Sequence, residues 1–339
     1  MQTSTVAFQR SAARDEQRDV KQVIACVDRS EHARKVVRHA CAIANALRLP
    51  TTLLQVLDTP PSDDLRLDPI EWDIRRHESR SILERLAETS SDSQDVIDAE
   101  VVEGQTAEEI CRRARERSAE LIVLGTHGER EAEEFGIGST ARDVLERAEG
   151  NVLLVPVFTA SARTPQYRRI LVPLDGSSWS ESVLPLAVRL ANATGAELIL
   201  VYIVPVPELI EADPLEAEDL ELRARLISRN ERVARSYLDR VRGYVAGQDL
   251  KVRALTLRGD DIRSSLASLV GSERVDLVVL SARGHGGAHV SDVPYGNVAA
   301  YLITHSPVPM LIVRPTAPSG NVHIAMRREA VRPSVRSVV

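Results

Sequence analysis

Aromatic residues make up only 3% of this 339-residue chain, with three Phe, two Trp and six Tyr. That scarcity leaves no stacking platform for single-stranded nucleic acid. Positive charge is not in excess either. The 43 Lys and Arg stand against 49 Asp and Glu, a net charge of -6, whereas a nucleic-acid binder would carry a basic field. No apolar run approaches the roughly 18 residues that cross a bilayer. The opening "MQTSTVAFQRSAARDEQRDVK" has no apolar stretch of the kind a secretion signal needs. The expected setting is cytoplasmic, away from membranes and nucleic acid. Three scattered cysteines, Cys26, Cys41 and Cys111, form no disulfide framework or metal spacing and read as reduced, buried thiols.

What remains is an ordinary globular composition, 43% hydrophobic and 27% charged, long enough for two domains. The chain repeats itself. "QVIACVDRSEHARKVVRHACAIANALRLPTTLLQVLD" (22–58) lies residue for residue on "RILVPLDGSSWSESVLPLAVRLANATGAELILVYIVP" (169–205). "ELIVLGTHG" (120–128) pairs with "DLVVLSARG" (276–284), and "NVLLVPV" (151–157) with "VPMLIVRP" (308–315). Each copy opens with an apolar run, an Asp and a Ser, and then a helical pattern. In copy one, strands are expected near 22–28, 51–57, 96–103, 120–125 and 151–157, and helices near 30–48, 69–89, 105–118 and 139–148. The strands are continuous Val/Ile/Leu runs, as befits a parallel sheet covered on both faces. Alternating strand and helix imply right-handed βαβ units. The expected divisions are an extension (1–20), domain one (21–158), a linker (159–167), domain two (168–315) and a tail (316–339). Ser178 with Glu181 has the spacing of a capping box.

One stretch carries the functional signal. "LGTHGEREAEEFGIGSTA" (124–141) places Gly125, Gly128, Gly136 and Gly138 directly after an apolar strand. In an open α/β sheet, ligands sit beyond the carboxyl ends of the strands, where strand order reverses. Backbone N–H groups freed by glycines, with the N-terminus of the following helix, would cradle an anion. The plainer reading is that the glycines turn the chain and Ser139 caps the helix. No G-x4-G-K-[ST] is present, so this is not a P-loop. Gly136, Gly138 and Ala141 match G-x-G-x-x-A in the wrong place for a dinucleotide fold. A phospho-acceptor receiver is also excluded, because "CVDRS", "VVEGQ" and "VPVFT" lack its acidic residues and lysine.

On these residues the chain resembles a tandem universal stress protein over about residues 20–315. The ATP-binding members of that family carry Gly, two residues, Gly, nine residues, Gly and then Ser or Thr after the fourth strand. Gly125, Gly128, Gly138 and Ser139 reproduce the pattern. The first-strand Asp and Ser are matched by Asp28 and Ser30, and by Asp175 and Ser177. The resemblance implies two Rossmann-like α/β domains of flavodoxin type. Each would be a five-stranded parallel sheet of order 3-2-1-4-5, the last strands pairing between domains. It places adenine near Asp28 and Val56 and the phosphates over Gly125, Gly128, Gly138 and Ser139. Cys26, Ser30, Thr126, His127 and Thr140 flank these positions and complete the candidate site. Asp28 could equally cap the next helix.

The copies differ. Glu129, Glu131, Glu133 and Glu134 follow Gly128 and read as a solvated face; turned towards a triphosphate they would require Mg2+ or Mn2+. Copy two has Ser281 for the first glycine, Asn297 for the Ser/Thr, and eleven residues between Gly284 and Gly296 instead of nine. Asn297 could still cap its helix. His285 and His289 have no third ligand nearby, so no metal site is expected. Pro173, Asp175, Ser177, Gly284, Gly296 and Asn297 are therefore at most a vestigial site. The expected function is regulatory ATP binding in copy one with no catalytic residues, in a chain that also forms homodimers. The competing expectation is a nucleotide-free interaction scaffold.

Overall fold

The computed structural model describes residues 21–58, 69–90, 97–128, 136–159, 164–207, 217–247, 250–282 and 295–314. Copy one runs β1 (Gln22–Cys26), α1 (Ala33–Leu47), β2 (Thr51–Asp58), α2 (Pro69–Ser90) and β3 (Ile97–Gly104). It continues with α3 (Thr106–Glu116), β4 (Ala119–Gly125), α4 (Ser139–Arg147) and β5 (Asn151–Val155). Copy two begins β6 (Arg169–Pro173), α5 (Ser178–Glu181), α6 (Leu184–Thr194), β7 (Glu197–Pro205) and α7 (Ala217–Val245). It ends with β8 (Val252–Gly259), α8 (Ile262–Ser272), β9 (Leu277–Ser281), α9 (Asn297–His305) and β10 (Met310–Val313).

The strands form one ten-stranded sheet in the order β3-β2-β1-β4-β5-β10-β9-β6-β7-β8. Each half is parallel, with its first strand central and its third at the open edge. The halves meet where β5 and β10 pair antiparallel, in the register Leu154↔Met310, Leu153↔Leu311 and Val152↔Ile312. Alternation along β1 explains the two cores. Val23 and Ala25 face α1 and α2, while Ile24 and Cys26 face α3 and α4. Each core continues from copy one into copy two without a break.

Side chains from both copies meet at the joint. His39 of α1 and Tyr167 are both buried, with His39 Nδ1 2.7 Å from the Tyr167 hydroxyl. Lys35 Nζ donates to the carbonyls of Val157 (2.8 Å) and Thr159 (3.1 Å). Thr159 Oγ1 donates to Pro307 O across the joint.

Two local expectations are corrected. The helix opening copy two is broken into α5 and α6, because Pro185 lacks an N–H and starts a new helix at its own first turn. Its cap is Ser177, whose hydroxyl accepts from Ser180 N, so Ser178 and Glu181 lie inside the helix and form no capping box. The tail from residue 315 lies outside the described residues.

Candidate functional site

The chain leaves β1 through Asp28, whose Oδ1 accepts from Ser30 N (3.0 Å) and Ser30 Oγ (2.5 Å). This is an Asx turn. Asp175 and Ser177 repeat it in copy two, at 2.9 and 2.6 Å. Asp28 therefore does not cap α1, whose N-cap position is His32 with no side-chain cap bond. The other Asp28 oxygen faces the glycine loop: a Cβ on Gly128 would lie 3.2 Å from Oδ2. The first-strand Asp and the second loop glycine are thus brought together.

Backbone bonds tie the loop at both ends. Thr126 N donates to Val155 O (3.0 Å) and Gly138 N to Thr126 O (2.8 Å). Gly136, at φ +121°, makes a turn that side chains rarely adopt. Gly138 is the N-cap of α4, so Ser139 is the first helical residue and does not cap. Ser139 is exposed and Thr140 half-buried, and no carboxylate stands in the first turn of α4. That terminus suits an anion. Cys26 closes β1 and is buried, its thiol pushed up by burial and by Cys111, which makes it a poor nucleophile. Val56 is half-buried on β2 beside Val102. His127 reaches back, its Nδ1 3.1 Å from Thr126 Oγ1.

His32 was not singled out by sequence reasoning. Its Nε2 lies 2.9 Å from Val155 O, so that nitrogen carries the proton. Burial lowers its pKa, and the Val155 carbonyl opposes part of that. Its Nδ1 and the Nε2 of His127 are buried with no hydrogen-bond partner among the described residues. A Cβ on Gly125 would come within 2.7 Å of His32 Cδ2. Gly125 thus admits a ring, which is a structural reason for that glycine independent of any phosphate. The signal lay in the repeat, since copy two pairs Trp179 with Ser281 at the matching positions. Gly125→Ala is expected to destabilise the protein by about 1–3 kcal/mol, because the ring must shift in a packed site. His32→Ser in the same chain should recover most of that, and additive losses in chemical denaturation would refute the contact.

The matching loop of copy two is tied in the same way. Ala282 N donates to Val313 O (3.1 Å) and Gly296 N to Ala282 O (2.9 Å). Gly296 therefore takes the place of Gly138, and as N-cap of α9 it displaces Asn297 from the capping role. Both are exposed, Ser281 is buried, and Pro173 is half-buried at the end of β6. Gly284, His285 and His289 lie outside the described residues, as do Glu129, Glu131, Glu133 and Glu134. Among the described residues no group of three or more His, Cys, Asp or Glu could hold a metal. No described helix is long and apolar enough to cross a membrane.

Two parallel Rossmann-like units, fused edge to edge and each with an Asp-x-Ser turn after its first strand, define the class. The universal stress protein family model matches residues 19–156 and again 166–314, and the chain belongs to that family. A universal stress protein of Mycobacterium tuberculosis is 28% identical over 197 residues, 58% of this chain and 62% of that protein. The match thus spans less than two thirds of that relative's length. One from Mycolicibacterium smegmatis is 23% identical over 301 residues, 86% of this chain and 97% of its own. The crystal structure of a universal stress protein from Archaeoglobus fulgidus superimposes with a TM-score of 0.60 at 16% identity. It covers 88% of this chain and 100% of that one. That likeness is one of fold.

Proposed function

We propose that copy one holds ATP and that the protein acts in the cytoplasm as a regulatory, stress-response component, as a homodimer and without catalysing a reaction of its own. The observation that carries this is the cradle formed by Asp28, Gly128 and the head of α4. Asp28 Oδ2 and the Gly128 backbone approach so closely that a Cβ would crowd them. The loop ends bring Gly138 and the N-terminus of α4 to the same end of the sheet. In this reading Asp28 and Val56 orient the adenosine. Gly128, Gly138, Ser139 and Thr140 hold the phosphates through backbone N–H and hydroxyl donors. Mg2+ or Mn2+ would accompany the nucleotide and offset phosphate charge. The buried nitrogens of His32 and His127 offer polar contacts deeper in the site.

The contact between His32 and Gly125 favours the competing reading of a nucleotide-free scaffold, since it explains one glycine of the pattern by packing alone. Denaturing the purified protein and weighing what it releases separates the two. ATP or ADP approaching one per chain is the expected result. Protein that releases no nucleotide and takes up none on addition would leave the scaffold.

A further inference from the structure

Copy one has a second concavity, on the sheet face opposite α4. A cleft of about 810 Å³ opens between α1 and α2, beside the turn that follows β1. That volume lies within the roughly 300–1,000 Å³ usual for small-molecule sites. Five basic side chains line it: Arg29, Arg34, Lys35, Arg38 and Arg85. Three carboxylates also line it, and one of these, Asp28, is engaged in the Ser30 turn. Lys35 is a fixed charge, because two backbone carbonyls hold its ammonium. Arg34 and Arg85 make no ion pair among the described residues, and Leu86 with Ile82 supplies an apolar wall.

Basic residues on a helix surface are usually no more than its solvated face. The internal repeat argues otherwise here. Laying 22–58 on 169–205 sets Gly176 for Arg29, Glu181 for Arg34, Ser182 for Lys35 and Pro185 for Arg38. The buried residues Ser79, Leu83 and Leu86 of α2 recur in α7 as Ala234, Leu238 and Val241, which places Tyr237 where Ile82 stands. In copy two that tyrosine is buried and packs edge-on against Tyr202, with ring centroids 5.9 Å apart. Copy two thus lacks the basic residues of α1, although Arg240 matches Arg85 in this register, and it sets an aromatic ring where copy one has Ile82. The full set of four basic residues is present in copy one alone.

We propose that the α1–α2 cleft of copy one binds a small molecule carrying two or more phosphate groups, with Arg34, Lys35, Arg38 and Arg85 supplying the charge. Guanidinium groups suit this task because each offers paired N–H donors to phosphate oxygens. The cleft borders the candidate nucleotide site, sharing Asp28, Ser30 and His32 with it, but its charge comes from α1 and α2 and does not require that the loop bind ATP.

Inorganic tripolyphosphate at low ionic strength is the probe, followed by titration calorimetry. The parent should bind it, and Arg34→Glu/Arg85→Glu should weaken binding by about tenfold or more. Both positions are exposed, so the fold is retained, as a thermal melt will verify. Arg229→Glu/Arg232→Glu on α7 removes the same bulk charge and should change the affinity by less than about twofold. Ser139→Asp, which sets a carboxylate at the head of α4, should leave this binding in place. No binding by the parent, an equal loss from the α7 pair, or a loss with Ser139→Asp but not with Arg34→Glu/Arg85→Glu would each overturn the proposal.

Discussion

Replacing Gly128 by valine is expected to abolish ATP binding by the whole chain, and Gly138→Val should do the same. A single Cβ at position 128 already sits 3.2 Å from Asp28 Oδ2, and valine adds two methyl groups to that space. The carboxylate would be pushed from the position in which, on the proposed function, it orients the adenosine, and backbone N–H groups would be screened from phosphate. Gly138 is buried, caps α4 and is bonded to Thr126 O, so a branched side chain there spoils the loop closure that aims the helix. Affinity should fall by at least about a hundredfold, roughly 3 kcal/mol. Gly284→Val in copy two should leave binding nearly intact, with one nucleotide per parent chain. Copy two lacks the small residue at 281, and its loop is two residues longer between the matched glycines. Titration calorimetry on the parent and three variants decides the matter. A stoichiometry near two, or equal losses from both copies, would show that copy two binds as well.

Acid should weaken the joint between the copies through His39. Burial, with smaller contributions from His32 and Lys35, lowers its pKa from 6.5 to about 4. The neutral ring is 6% exposed and meets the Tyr167 hydroxyl. The folded state thus binds this proton more weakly than the unfolded chain does. Its stabilising contribution is complete above pH 6.5, declines as pH falls from 6.5 towards 4, and changes no further below that. The full loss is about 3 kcal/mol. Urea midpoints measured at several pH values for the parent and His39→Gln should diverge in slope across that window. Gln keeps a polar contact to Tyr167 but cannot titrate. Parallel slopes would place the acid sensitivity elsewhere.

The doubled architecture was legible because each strand is buried on both faces and reads as an unbroken apolar run, and because Asp-x-Ser recurs at matching positions. Boundaries were less legible where local bonding competes with helix. α1 starts at Ala33 rather than near residue 30, because Asp28 and Ser30 spend their donors and acceptors on a turn. β10 reaches only Met310–Val313, since Ser306 and the prolines 307 and 309 occupy the approach to it. The glycine spacing pointed to the carboxyl end of β4, where Gly128 meets Asp28. It did not disclose His32, because a ring that fills the space beside Gly125 lies far from it along the chain. The α1–α2 cleft was hidden for a related reason: its basic residues alternate with buried ones and look like any amphipathic surface. Only the contrast with Tyr237 makes the empty space visible.

The antiparallel seam between β5 and β10 also bears on how the protein responds to dilution. Both apolar fifth strands belong to one covalent chain, so their meeting is governed by a tethered, effective concentration rather than by how much protein is present. Halving the protein concentration leaves that equilibrium untouched, unlike an interface between separate chains. The tether also relaxes the demand on copy two. It can complete the sheet as a permanently supplied wall whether or not its own loop takes a ligand.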